Sequence, residues 1–258
     1  MTADSHRDLK AAARTALACL DLTSLNDADT PADIDALCRR AQTAHGPVAA
    51  VCVWPRFVAQ ARAALPASIK VAAVANFPDG ALDLQRALAD VAEIALAGGD
   101  EVDVVLPYRT LLADQPSDVA EFLSEVRFAS RPLTLKVIIE SGELETADRI
   151  GQATRLALAA GADFVKTSTG KTQVGATPAA AAVMLKEIAA SGLSAAGFKA
   201  SGGVRSVVDA AGYIAQMKAV LGAEALNPQR LRFGASGLLT DIESVLSGAD
   251  SVATTSAY

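Results

Sequence analysis

The sequence predicts a (β/α)8 barrel, a single domain spanning residues 1–258. Three observations carry that expectation. Eight short β-rich runs recur along the chain. Alanine-rich segments with a 3.6-residue apolar period separate most of them. A length of 258 residues also suits eight strand–helix units. A doubly wound sheet alternates strand and helix too and is the main competitor. No Gly-x-Gly-x-x-Gly follows the first run, which lowers its nucleotide-binding version. No Pro/Gly/Ser-rich linker divides the chain.

The runs are, in order, LACLDLT at 17–23, VAAVCV at 48–53, KVAAVA at 70–75, EVDVVL at 101–106, TLKVII at 134–139, DFVKT at 163–167, AGFKA at 196–200 and LRFGA at 231–235. Helices are expected between them. In 81–97 the residues Leu84, Leu88, Val91 and Ala95 fall on one face. Thr30-Pro31 and Thr177-Pro178 each offer an N-cap followed by proline at the first helical position. Gly98 and Gly161 are placed to end helices. The segments LAGGDEVDVV and LAAGADFVKT share one layout of helix end, glycine, acidic residue and strand. The small polar tail 248–258 is expected to be mobile.

Composition removes several function classes. Half the chain is hydrophobic (51%), and charged residues make up an ordinary 20%, so disorder is not expected. No apolar run approaches the ~18 residues of a membrane helix, and the polar N-terminus lacks a signal core. The expectation is a cytoplasmic protein that binds neither membrane nor nucleic acid, because a net charge of −6 supplies no basic face. Cys19, Cys38 and Cys52 read as buried thiols rather than as a disulfide or zinc site. With only His6 and His45, a histidine metal site or a Ser-His-Asp triad has nothing to be built from. The chemistry must then come from Lys, Asp, Glu, Tyr, Cys or a cofactor.

A barrel interior is normally filled by Val, Ile and Leu. Here charged residues interrupt four consecutive strands: Glu101 and Asp103 in the fourth, Lys136 in the fifth, Lys166 in the sixth and Lys199 in the seventh. Alternation puts Asp103 on the face of Glu101 and Val105, and Lys166 on the face of Phe164 and Ser168. If they point inward, three ammonium groups and a carboxylate share one small space. Burial and neighbouring cations both lower a lysine pKa. A neutral amine attacks carbonyls to give a Schiff base. A second constellation suits a phosphate. Lys171 follows Gly170 after the sixth strand, Gly202-Gly203-Val204-Arg205 follows the seventh, and Gly234-Ala235-Ser236-Gly237 ends the eighth and opens a helix. Together they read as an enzyme making or breaking a carbon–carbon bond in a sugar phosphate.

The runs LDLTSL, VCVWPRF, ANFPDG, DEVDVVLPYR, LKVIIESGEL, DFVKTSTGK and GFKASGGVR, in that order, resemble the motifs of the 2-deoxyribose-5-phosphate aldolases, longer bacterial type. The resemblance runs from about residue 17 to Tyr258. It implies a (β/α)8 barrel and metal-free class I chemistry, cleaving 2-deoxy-D-ribose 5-phosphate to acetaldehyde and D-glyceraldehyde 3-phosphate. It implies Lys166 as the Schiff-base lysine, Lys199 as the neighbour that lowers its pKa and takes part in proton transfer, and Asp103 as the proton-exchanging group. Lys136 would hold Asp103 or the sugar, and Tyr258 would carry protons from a closing tail. Gly170, Lys171, Gly202, Gly203, Gly234 and Ser236 match the phosphate motifs, and Asp21 and Thr23 match positions facing the sugar. A homodimer and a role in deoxyribose phosphate catabolism also follow from it. Gly237 stands where a second serine is frequent, Ser201 where proline or alanine is common, and Trp54 where tyrosine is often found.

Plainer readings exist for several residues. Asp103 alone could be a structural carboxylate paired with Lys136 or Lys199. Cys52 reads as a small filler, Glu140 as a support to the site, Arg56 and Arg109 as solvated or interface charges, and Tyr108 as packing. A barrel that binds a phosphosugar without catalysis is a competing function, against which the pair Lys166 and Lys199 argues. A phosphosugar isomerase would want a carboxylate base, and a metal-dependent aldolase would want histidines.

Overall fold

The structure, a computed structural model, describes residues 3–248. Tyr258 and all but the first residue of the expected tail lie outside the described residues. Eight parallel strands close into a barrel: β1 (Leu20–Thr23), β2 (Ala50–Val53), β3 (Lys70–Ala75), β4 (Glu101–Val105), β5 (Thr134–Ile138), β6 (Phe164–Lys166), β7 (Gly197–Ser201) and β8 (Leu231–Ala235). Sequence neighbours pair throughout, and β1 closes on β8 through Leu20 opposite Phe233 and Asp21 opposite Gly234. The expected (β/α)8 architecture is thus the observed one, with every expected strand present. No helix among the described residues is long and apolar enough to cross a membrane.

Local chemistry explains the punctuation. Thr30 accepts the Asp33 N–H while Asp33 returns a bond to the Thr30 backbone, so Pro31–Arg40 starts with a capping box. Thr177 caps Pro178–Ala190 through the Ala180 N–H. Gly98 and Gly161 follow their helices with φ of +82° and +84°, the left-handed region where a side chain would be strained.

Three details differ from expectation. The first strand starts at Leu20, because a first helix, Ala3–Ala18, takes up Leu17 and Ala18. Both are apolar whether helical or extended, so the boundary leaves no mark in the pattern. The helix expected at 81–97 runs Leu84–Leu96, and its buried residues are Ala87, Val91 and Ile94, with Leu84 partly buried. Ala95 is exposed, so the inner face is rotated from the expected one toward Ala87, whose small side chain allows close approach to the barrel. A two-residue hairpin, Gln42–Thr43 with Gly46–Pro47, is an addition. It turns at Gly46, whose carbonyl accepts the Thr43 hydroxyl at 2.7 Å.

The apolar core lies between the barrel and its helices. Val51, Val71, Val102, Val104, Leu135, Val137, Val165, Phe198 and Phe233 are buried there. Period two turns the alternate residues into the lumen. Long charged chains fit that lumen because small residues face it from the same strands. A Cβ at Gly197 would lie 2.4 Å from the Phe164 ring. One at Gly234 would lie 2.6 Å from the Ser201 hydroxyl and 3.0 Å from Cε of Lys199.

Candidate active site

Charged residues enter the lumen from six strands rather than four. Strand pairing sets Asp103 beside Lys136, Lys166 beside Lys199, and Lys199 beside Arg232. Asp103 is the common partner of the lysines. Its Oδ1 accepts from Lys136 Nζ at 2.7 Å, and its Oδ2 accepts from Lys166 and Lys199 at 2.8 Å each. Lys199 also donates to Asp21 Oδ2. Arg232 Nη1 donates to Asp21 Oδ1 at 2.6 Å, and the guanidinium grips Glu101 with both terminal nitrogens, at 2.7 and 3.0 Å. Lys136 reaches Glu101 Oε2 at 2.6 Å and Asp21 Oδ2 at 3.4 Å. All seven groups are buried.

The three lysines therefore differ in their carboxylate partners. Among the described residues Lys136 has Asp21, Glu101 and Asp103; Lys199 has Asp21 and Asp103; Lys166 has Asp103 alone. Their protonation follows. Burial disfavours each ammonium, but Asp103, Glu101 and Asp21 raise Lys136 above its ordinary value. Asp103 and Asp21 likewise raise Lys199. At Lys166 burial wins, helped by the Lys199 charge against the pull of Asp103 and a smaller one from Cys52, and the pKa is lowered. Sequence alone predicted that a lysine of the cluster falls, and Lys166 does; Lys136 and Lys199 rise because the cluster carries more carboxylates than were counted. Burial would raise Asp103, yet Lys136, Lys166 and Lys199 hold it well below the carboxylate range. Asp21 is likewise lowered, by Arg232, Lys199 and Lys136 against its burial. A buried amine with a depressed pKa beside a carboxylate is suited to nucleophilic attack and proton exchange.

At the C-terminal mouth a cleft of about 250 Å³ is lined in part by Gly170, Gly202, Gly203, Arg205, Ser236 and Gly237. Gly202 and Gly203 have φ of +80° and +85°. Backbone meets backbone beneath the cleft: a Cβ on Gly175 would lie 2.4 Å from the Gly202 carbonyl oxygen. Gly234 lies within the barrel against Lys199 and Ser201, and the exposed Lys171 does not line the cleft wall. Glu140 holds the loop that carries Gly170. In a left-handed conformation (φ +52°), it accepts the Thr169 hydroxyl at 2.5 Å, the Thr169 N–H and the Thr172 hydroxyl. Burial pushes its pKa up, partly offset by those bonds.

Asp21 and Thr23 stand at the first strand as expected. Both Asp21 oxygens are committed to Arg232 and Lys199, and the Thr23 hydroxyl donates to the Asp21 carbonyl at 2.8 Å. Cys52 is buried, and burial, then the charge of Asp103, raises its pKa. Tyr108 is buried beneath Arg109, and Arg56 lies over the Trp54 and Phe57 rings. Arg232 escaped sequence reasoning altogether. The signal was available, since an arginine two residues before Gly234 interrupts the eighth strand as the lysines interrupt theirs. A second cavity, about 1010 Å³, opens at the opposite end of the barrel, and Glu101 and Arg232 are among its lining residues. Among the described residues no three His, Cys, Asp or Glu are grouped to hold a metal ion.

The family model for DeoC/LacD family aldolases matches residues 15–240. A curated deoxyribose-phosphate aldolase from Agrobacterium fabrum is 45% identical over 261 residues, covering 100% of both chains. A crystal structure from Toxoplasma gondii, of a protein assigned as a deoxyribose-phosphate aldolase, superimposes with a TM-score of 0.86 at 26% identity, covering 95% of this chain and 98% of that one. The tetrameric deoxyribose phosphate aldolase of Aeropyrum pernix has a TM-score of 0.71 at 24% identity, covering 95% and 98%, a likeness that bears on the fold alone.

Proposed function

The chain belongs to the DeoC/LacD family of aldolases, and from that premise we propose that it cleaves 2-deoxy-D-ribose 5-phosphate, reversibly, through a Schiff base on Lys166. The products in this reading are acetaldehyde and D-glyceraldehyde 3-phosphate. The observation that carries it is the single carboxylate partner of Lys166, against two for Lys199 and three for Lys136.

Neutral Lys166 attacks the substrate aldehyde, and loss of water leaves an iminium. The C2–C3 bond then breaks, and its electron pair moves into the iminium to give an enamine, while the C3 hydroxyl loses its proton and its carbon becomes that of the new aldehyde. Asp103, with a water, takes that proton and returns one to the enamine carbon. Hydrolysis frees acetaldehyde and Lys166. Lys199 stays charged throughout and disfavours a second ammonium beside it. Lys136 keeps Asp103 ionised and in place. The mouth cleft, with Gly170, Gly202, Gly203 and Ser236, receives the phosphate, and exposed Lys171 attracts it from outside. Asp21, Thr23 and Gly234 shape the sugar end, and Tyr258 serves as a proton carrier. A cytoplasmic homodimer at work in deoxyribose phosphate breakdown completes the reading, on the strength of the resemblance.

Reductive trapping tests it. Incubation with acetaldehyde and borohydride, with and without EDTA, is expected to add one ethyl group, mapped to Lys166 and unaffected by the chelator. Adducts scattered over surface lysines, or none on Lys166, would overturn the mechanism.

A further inference from the structure

The cluster contains four cationic side chains, Lys136, Lys166, Lys199 and Arg232, and three carboxylates, Asp21, Glu101 and Asp103. A buried charge without a counter-charge is costly. The set is balanced only when one cation gives up its proton. Arginine cannot do so. Lys136 and Lys199 each hold two or more carboxylates, which leaves Lys166.

We propose that Arg232 and Glu101, lying beneath the reacting amine and touching no substrate, set the charge balance that leaves Lys166 as a free amine. They are positioning residues, and the inference rests on the reading of Lys166 as nucleophile. Arg232 neutralises Glu101 bidentately and shares Asp21 with Lys199, while Glu101 shares Lys136 with Asp103. The two residues thus connect to Lys166 only through other members of the set. Removing the arginine charge leaves three cations against three carboxylates, so every lysine keeps its proton. Removing the glutamate charge leaves four against two, and protons are lost more readily. Removing both restores the original surplus of one cation.

Other charged or titratable groups face these residues. Cys52 and Glu140 lie near Lys166, and Glu140 is bonded to Thr169 and Thr172 rather than to the set. Cys19 lies near Arg232, and burial pushes its thiol up to about 12. Below, Arg14, His45, Lys70, Asp163 and Arg230 line the rear cavity, where Lys70 pairs with Asp100 and Asp163 with Arg127. All of these stay in place in every variant, so they cancel from the comparison.

The test is the pH dependence of acetaldehyde trapping by cyanoborohydride, mapped to Lys166, in wild type, Arg232→Met, Glu101→Gln, the double variant and Arg232→Lys. Arg232→Met is expected to move the acid limb to higher pH by about one unit or more, and Glu101→Gln to move it to lower pH. The double variant and Arg232→Lys are expected to return close to wild type. Purely structural roles would lower the amplitude without opposite shifts. If Arg232→Met fails to fold, Glu101→Gln and Arg232→Lys carry the test. A limb that stays put or moves to higher pH in Glu101→Gln overturns the inference, as does a limb displaced in Arg232→Lys. If wild type itself does not trap on Lys166, the reading of the nucleophile fails first. If it does and the variants do not shift oppositely, that reading stands and this one falls.

Discussion

Asp103 shows how much one side chain can hold together. Its two oxygens take bonds from three lysines on three different strands. Asp103→Asn would leave three buried amines facing a neutral amide. Breaking one side of a buried ion network costs on the order of 3–5 kcal/mol, and losing a proton-exchanging group costs roughly 10²–10⁴ in kcat. Both effects are expected, read by urea unfolding and by steady-state cleavage rates. The pH dependence has a definite sign. The folded pKa of Asp103 lies below its unfolded value, so its stabilisation is complete above about pH 4. It is lost as pH falls through the lowered folded value. The deficit of Asp103→Asn is therefore expected to be full at neutral pH and to shrink in acid. A constant deficit would show that the carboxylate charge is not what stabilises. At this scale the sequence showed the three lysines and Asp103, because charges inside β-rich runs stand out against Val and Ile. It did not show that Asp21 faces Arg232 and Lys199, since those contacts join the first strand to the last two, about 180 to 210 positions away.

The elements were legible wherever the local pattern decides them. Alternating strands, Thr-Pro helix starts and glycine helix ends all rest on residues adjacent in sequence. The rotated face of Leu84–Leu96 was not, because alanine and leucine both satisfy an apolar period, and only packing against the barrel selects Ala87 over Ala95. The glycines of the mouth are a similar case. Their positions suggested an anion cradle, but Gly175 earns its place by contact with Gly202, a residue on the next loop. Gly175→Ala would drive a methyl group toward the Gly202 carbonyl at 2.4 Å, and neither partner there is a side chain that can swing away. The two loops must separate, with the cleft between them. The expected result is a fall of about tenfold or more in kcat/KM for 2-deoxyribose 5-phosphate, a loss of the ~1–3 kcal/mol that charged hydrogen bonds supply. In the proposed reading unphosphorylated 2-deoxyribose makes no use of the cleft, so its rate of cleavage should not change. An equal loss on both sugars would place the damage at the lysines instead.

The whole molecule separates two tasks that most folds combine. Helices packed on the outer faces of the strands bury most of the apolar residues and hold the barrel closed, while the ionisable groups gather in the lumen. In the proposed reading stability and reactivity are thus set in different layers, and Lys166 can be unfavourable without threatening the fold. Its folded pKa is lowered, so the unfolded chain holds that proton more tightly. The resulting penalty is full below the folded value. It is relieved as pH rises from there toward the unfolded value of about 10.4. Lys166→Met removes the penalty, leaves three cations against three carboxylates, and keeps the Lys199 bond to Asp103 Oδ2. Cleavage is expected to disappear, while Tm at pH 6–7 holds or rises by roughly 2–4 °C, the equivalent of about 1 kcal/mol in a chain of this size. The advantage should fade as the pH approaches 10. A variant that is inactive and also markedly less stable at pH 6–7 would mean that Lys166 is a structural member of the network rather than the group the network is built to discharge.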